Sequence, residues 1–137
     1  MAKRKPSVDG DGAHRAFEPP TADELAEIVQ RSDDAIIVTD EALRIVFFND
    51  GAQETFGYDR AEMLGKPLHA LLPDRDHDRF RELAATALRS PKSGQRARGL
   101  MGGVRRDGRE FPAEISIFEP MRAQARRLTV ILRDFSE

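Results

Sequence analysis

Cysteine is absent from the sequence. That one absence excludes disulfides, thiolate metal sites and a cysteine nucleophile. Long hydrophobic runs are missing too: nothing approaches the ~18 consecutive apolar residues of a membrane span, and the N-terminus has no signal-peptide apolar core. With neither signal nor cysteine, a cytoplasmic protein is the expectation. Charge of one sign is scarce, the formal net charge being −2. No overall field exists to recruit nucleic acid or an acidic membrane surface. Catalytic constellations are equally thin. Of the three histidines, His14 lies in a polar N-terminal stretch, which leaves His69 and His77. Ser32, Ser90, Ser93, Ser116 and Ser136 lack the histidine and glycine-elbow context of a nucleophile. Gly99 to Gly103 lacks the spacing and the Lys-Ser/Thr of a phosphate loop. Asp74, Asp76 and Asp78 alternate with Arg75, His77 and Arg79. On a helix such neighbours point around the circumference, so they read as a solvated charge run and not as a metal site. The expectation is a chain that catalyses nothing itself and holds no metal.

What remains, 137 residues with 39% hydrophobic and 34% charged, suits one globular domain with a core and short extensions. Residues 1–20 are polar and aperiodic and read as a disordered tail. Thr21 opens a helix over 21–31 through the capping box Thr-Ala-Asp-Glu, with Leu25, Ile28 and Val29 on one stripe. That stripe either lies against the protein's own sheet or pairs with a second copy. Three apolar residues are little to bury alone, and partner packing is a usual source of helix stability, so a homodimer is expected.

Ala35 to Thr39 reads as a first strand. Arg44 to Phe48 reads as a second, and the run Ile45-Val46-Phe47-Phe48 predicts burial on both of its faces. Asn49 ends it and N-caps a brief helix stopped by Gly57. Asp59 with Glu62 makes another capping box, closed by Gly65. Leu68 to Leu72 is apolar until Pro73. The stretch Asp74 to Arg89 carries the main helix, with Phe80, Leu83, Ala84, Ala87 and Leu88 facing inward. Gln95 to Arg105 is a glycine-weakened strand, with Met101 read as core. Asp107-Gly108 predicts a two-residue hairpin turn. Phe111, Ala113, Ile115 and Ile117 alternate with Glu110, Glu114 and Ser116, which is the pattern of a half-buried antiparallel strand. Leu128 to Arg133 is the last strand. Helices between two blocks of antiparallel strands imply an α+β domain.

Three stretches resemble the PAS family: Phe48-Asn49 with Phe56-Gly57-Tyr58 and Glu62-Met63-Leu64-Gly65-Lys66-Pro67-Leu68; Arg105-Arg106-Asp107-Gly108 with Phe111-Pro112; and Arg133-Asp134-Phe135-Ser136-Glu137. The resemblance spans 33–135. It implies a five-stranded antiparallel sheet in the order 2-1-5-4-3, short helices on one face and an N-terminal flanking helix. It further implies a sensory or dimerisation module of a bacterial signalling protein, such as a sensor histidine kinase or a cyclic-dinucleotide enzyme. The absence of cysteine excludes cysteinyl–flavin photochemistry. Residues 136–137 would begin an output linker, so the output is either missing from the sequence or a docked partner. Asp134 and Ser136, just past the last strand, are the candidate signalling residues, able to cap an output helix.

His77-Asp78 also resembles the axial-ligand pair of rhizobial haem-binding PAS sensors, and a neutral imidazole in an apolar cavity is a sound haem ligand. The arginine that steadies bound oxygen there falls on Gly99, with Arg98 one residue away and, by strand alternation, on the other face. His77 therefore stands either as a haem ligand or as a partly buried histidine, and His69 as a boundary residue bonded to a backbone carbonyl. A small-molecule pocket is expected between the inner sheet face and the Phe80 to Leu88 helix. The alternative is a ligand-free scaffold whose interior Phe47, Phe48, Phe56, Phe80 and Phe111 fill.

Overall fold

The computed structural model describes residues 17–89, 96–120 and 125–136. Most of the N-terminal tail and the 90–94 loop lie outside them. Helix α1 (Ala22–Arg31) starts at the expected box: Thr21 Oγ1 accepts from Glu24 N, and Glu24 Oε1 accepts from Thr21 N, both at 3.1 Å. Strands β1 (Ala35–Thr39) and β2 (Ile45–Phe48) form an antiparallel hairpin, followed by α2 (Asp50–Phe56) and α3 (Arg60–Met63). Gly57 and Gly65 both take positive φ, +82° and +85°, where only glycine stops a helix without steric cost. Two 3₁₀ turns, Leu68–Leu71 and Asp74–Asp76, lead into α4 (His77–Arg89), the main helix, which lies within the stretch Asp74 to Arg89 as expected. Strands β3 (Ala97–Val104), β4 (Glu110–Phe118) and β5 (Leu128–Asp134) complete a five-stranded antiparallel sheet in the order β2-β1-β5-β4-β3. This is the α+β architecture that the sequence implied.

The core lies between the inner sheet face and the helices. Phe48, Phe56 and Phe80 are fully buried with Leu68, Leu71, Ile115, Ile117, Leu128, Val130 and Leu132. Each such side chain contributes on the order of 1.5–3 kcal/mol by leaving water. Phe56 bridges two aromatic neighbours, 6.5 Å from Phe48 and 5.6 Å from Phe111 between ring centroids.

Two local expectations need correction. Strand β2 is not buried on both faces: Val46 is 38% exposed, and the strand alternates between buried ends and a more open middle. The β3–β4 turn holds three residues, not two. Arg105 N donates to Arg109 O and Gly108 N to Arg105 O, with Gly108 at φ +89°. That is a β-turn followed by a left-handed glycine, the usual three-residue hairpin loop. The glycines of β3 accommodate close neighbours: a Cβ on Gly103 would strike the Phe111 ring, and one on Gly102 would sit 2.8 Å from Pro73 Cγ.

Each edge of the sheet has backbone groups already engaged. On the β2 side, Ile45 N donates to Lys66 O and Gly65 N to Ile45 O. On the β3 side, Gly102 N donates to Asp76 Oδ2 at 2.9 Å, and Arg79 Nη1 donates to Leu100 O at 2.7 Å. Side chains from the second 3₁₀ turn and from the first turn of α4 thus engage two backbone groups that a sixth strand would use.

Candidate functional site

Asn49 sits at the root of the molecule, fully buried between β2 and α2. Its Oδ1 accepts from Ala52 N, the helix cap, and from Ile36 N, both at 2.9 Å. Its Nδ2 donates to Val29 O at 2.8 Å and Asp34 O at 3.1 Å, with Ser32 O at 3.4 Å. One amide therefore joins the end of α1, the start of β1 and the start of α2. Gln30 Nε2 adds a bond to Asp50 Oδ1 at 2.7 Å, and Arg60 pairs with the same oxygen at 2.6 Å. The Gln30 hydrogen bond leads in holding the Asp50 carboxyl below its ordinary pKa; burial opposes it and Arg60 adds to it. Outside this root α1 buries nothing: Leu25, Ile28 and Val29 are 50%, 59% and 37% exposed. Of the two sequence readings, the helix lying against its own sheet does not occur for this stripe.

A second junction lies where β5 leaves the sheet. Arg105, at the β3–β4 turn, donates from Nη1 to Thr55 O at 2.6 Å and from Nη2 to Asp134 Oδ2 at 2.7 Å. Its guanidinium lies 4.2 Å from the Phe111 ring centroid. Arg106 follows with a backbone bond to Phe56 O, an ion pair with Glu62 and a contact over the Tyr58 ring. Both arginines thus sit at the C-terminal end of α2, where carbonyls favour cations. Asp134 Oδ1 accepts from Ser136 N at 2.7 Å. Burial works to raise the Asp134 carboxyl, but hydrogen bonds from Ser136 and Arg105 outweigh it and leave the pKa below the usual value. The geometry therefore brings Asp134 and Ser136 together. Arg105, which the sequence offered only as part of a basic pair, completes the site; its signal was that pair standing before Asp107-Gly108.

His77 is placed otherwise than a haem ligand requires. It opens α4 with its Nε2 donating to Leu72 O at 3.0 Å, and its ring lies 4.7 Å from that of His69, centroid to centroid. The nitrogen that would hold iron is bonded to a backbone carbonyl, and a second imidazole occupies its flank. Arg98 is exposed on the outer face, away from α4. These residues do not fit a haem. The backbone carbonyl contact expected for His69 belongs to His77 instead, while burial, and then the neighbouring His77, lowers the His69 pKa. Among the described residues no group of three or more metal-ligating side chains converges, and no described helix is long and apolar enough to cross a membrane.

Phe80, Ala84 and Ala87 of α4, the helix expected to wall a ligand pocket, are buried in the same core as Ile115 and Ile117. Met101 is buried there as expected. Cavities also open at the surface. A hollow of about 500 Å³ lies beside the β3 edge near Arg75, Leu100 and Phe135, and a groove of about 300 Å³ lies on the outer sheet face.

A family model described as "PAS fold" matches residues 23–135. An uncharacterised protein of Azorhizobium caulinodans is 32% identical over 112 residues, covering 80% of this chain and 15% of the relative. The sensor protein FixL of Bradyrhizobium diazoefficiens is 29% identical over 114 residues, 82% of this chain and 23% of the relative. The chain thus spans less than a quarter of either relative's length. Among solved structures, the PAS domain of a Colwellia psychrerythraea protein superimposes with a TM-score of 0.73 at 23% identity, covering 82% of this chain and 95% of that one. A PAS domain from a two-component sensor histidine kinase gives 0.66 at 15% identity, covering 80% and 92%.

Proposed function

The chain belongs to the PAS family, and from that premise we propose that it serves a larger signalling protein as a sensory and dimerisation module. Its α1 pairs with a second copy, and its β5 exit passes the signal to an output helix. The Arg105 bridge carries this reading. One guanidinium spans from the carbonyl of Thr55, in the helix cluster, to the carboxylate at the exit of β5. A displacement of α2 by a small ligand or a partner pulls on Asp134 directly. Asp134 in turn holds the Ser136 amide at the start of the following segment. An input acts here only by favouring one of two arrangements of that bridge.

The second copy is the occupant that suits α1. Ten residues is shorter than the ~12–15 at which a helix holds alone in water. Its internal contacts are gathered at its C-terminal end, leaving a stripe that an identical helix covers in an isologous pair. The packed aromatic interior favours input by a partner or surface ligand over one lodged in the core.

Amide hydrogen exchange at Ser136 tests the bridge. Arg105→Ala should speed exchange there by about tenfold, the loss of roughly one charge-assisted bond, while exchange in β1 stays unchanged. Equal protection of Ser136 in wild type and variant would refute the coupling.

A further inference from the structure

The outer face of the sheet, turned away from α2 to α4, carries a groove that the coupling described above does not use. Cross-strand register builds it. Arg98 of β3 stands opposite Ser116 of β4, and Ser116 opposite Ile131 of β5. Alternate residues of a strand share a face, so Arg96 lies beside Arg98, about 7 Å along the strand. One row further on, Glu114 faces Arg133, whose guanidinium reaches Asp34 at 3.6 Å.

The charges at the β3 side are unanswered. Arg98 has no hydrogen bond or ion pair among the described residues, and Arg96 only lies over the Phe118 ring, 5.0 Å from its centroid. Beneath them the hydroxyl of Ser116 is buried, with no hydrogen-bond partner. Two like-charged forks on one face repel each other, and a buried hydroxyl left unbonded is unfavourable. One ligand relieves both. A planar guanidinium matches the paired oxygens of a carboxylate or phosphate, and the serine supplies a third donor.

We propose that this groove binds a small anion bearing a carboxylate or phosphate group, gripped by Arg96 and Arg98 and hydrogen-bonded by Ser116. Glu114 and Asp34 limit the size of the ligand. With Arg133 paired to Asp34 they leave one net negative charge at the far end, which disfavours a polyanion such as nucleic acid one row beyond the arginines.

Isothermal titration calorimetry with inorganic phosphate and, separately, succinate tests this, with ionic strength held constant by sodium chloride. The wild-type chain should bind at least one of them saturably, with a dissociation constant of about 1 mM or tighter. Binding of phosphate alone assigns an oxyanion site and of succinate alone a carboxylate site. Arg98→Ala should weaken binding by about tenfold or more, and Ser116→Ala by a smaller factor. Both positions lie on the solvent side of the sheet, so circular dichroism should show the fold retained. Absence of saturable binding of either probe, or equal affinity in Arg98→Ala, overturns the proposal.

Discussion

Asn49 shows what one side chain can hold. Asn49→Ala removes a helix cap and strands the part-buried Ile36 N–H and Asp34 carbonyl, while the Val29 carbonyl keeps only the Ser32 N–H at 3.4 Å. A lost cap costs about 1 kcal/mol and each buried unsatisfied group about 1–3 kcal/mol. A destabilisation of about 3 kcal/mol or more is therefore expected from urea unfolding, with α1 the first segment to lose protection. Asn49→Asp should not rescue it, because the lost Nδ2 donor is replaced by an oxygen facing carbonyls. The cap itself was legible in the sequence, since capping spans only three residues. The amide's bonds to Val29 and Asp34, 20 and 15 residues upstream, were not, because they exist only once the chain has folded back. Gly51 is hidden for the same reason: a Cβ there would strike the carbonyl oxygens of Ser32, Asp33 and Asp34, yet in sequence it is merely a glycine inside a short helix.

At the scale of elements, local pattern fared well wherever one face had to be apolar. The alternation in β4 and β5 put Phe111 to Ile117 and Leu128 to Leu132 inward, as observed. Uncovered faces defeated it: the apolar run Ile45 to Phe48 carries no sign that nothing packs over Val46, so its exposure could not be read. Turn length escaped too, because the Arg105–Arg109 closure depends on the pairing around it. Helix α1 is the element whose pattern and structure pose the same question, an apolar stripe with no cover. Leu25→Glu combined with Ile28→Glu should convert a dimer to a monomer in sedimentation velocity over the micromolar range, without loss of the melting transition. A wild-type chain that is already monomeric there would end the pairing proposal.

For the molecule as a whole, the order of the sheet was legible through family resemblance, whereas the outer groove was not, since it requires three strands in register. Acid stability belongs at this scale as well. Asp50 and Asp134 have folded pKa values below the ordinary 3.8, so the unfolded chain takes up protons first as pH falls. Their contribution is complete above the ordinary value and is lost as pH drops through the folded values. The folded pKa of His69 lies below the ordinary 6.5, burial being the main cause, so its contribution is complete above 6.5 and fades as pH falls through its folded value. Urea midpoints measured from about pH 8 to about pH 3 should therefore fall in two stages. His69→Gln should remove the earlier one. The rims of the sheet matter most where many copies meet. Lys66 and Gly65 on one side, Asp76 and Arg79 on the other, already hold backbone groups through which a stranger's strand would join. Crowded together, as in tandem arrays or receptor clusters, such molecules would meet hems already partly stitched to their own chain, which leaves faces and helices as the readier points of contact.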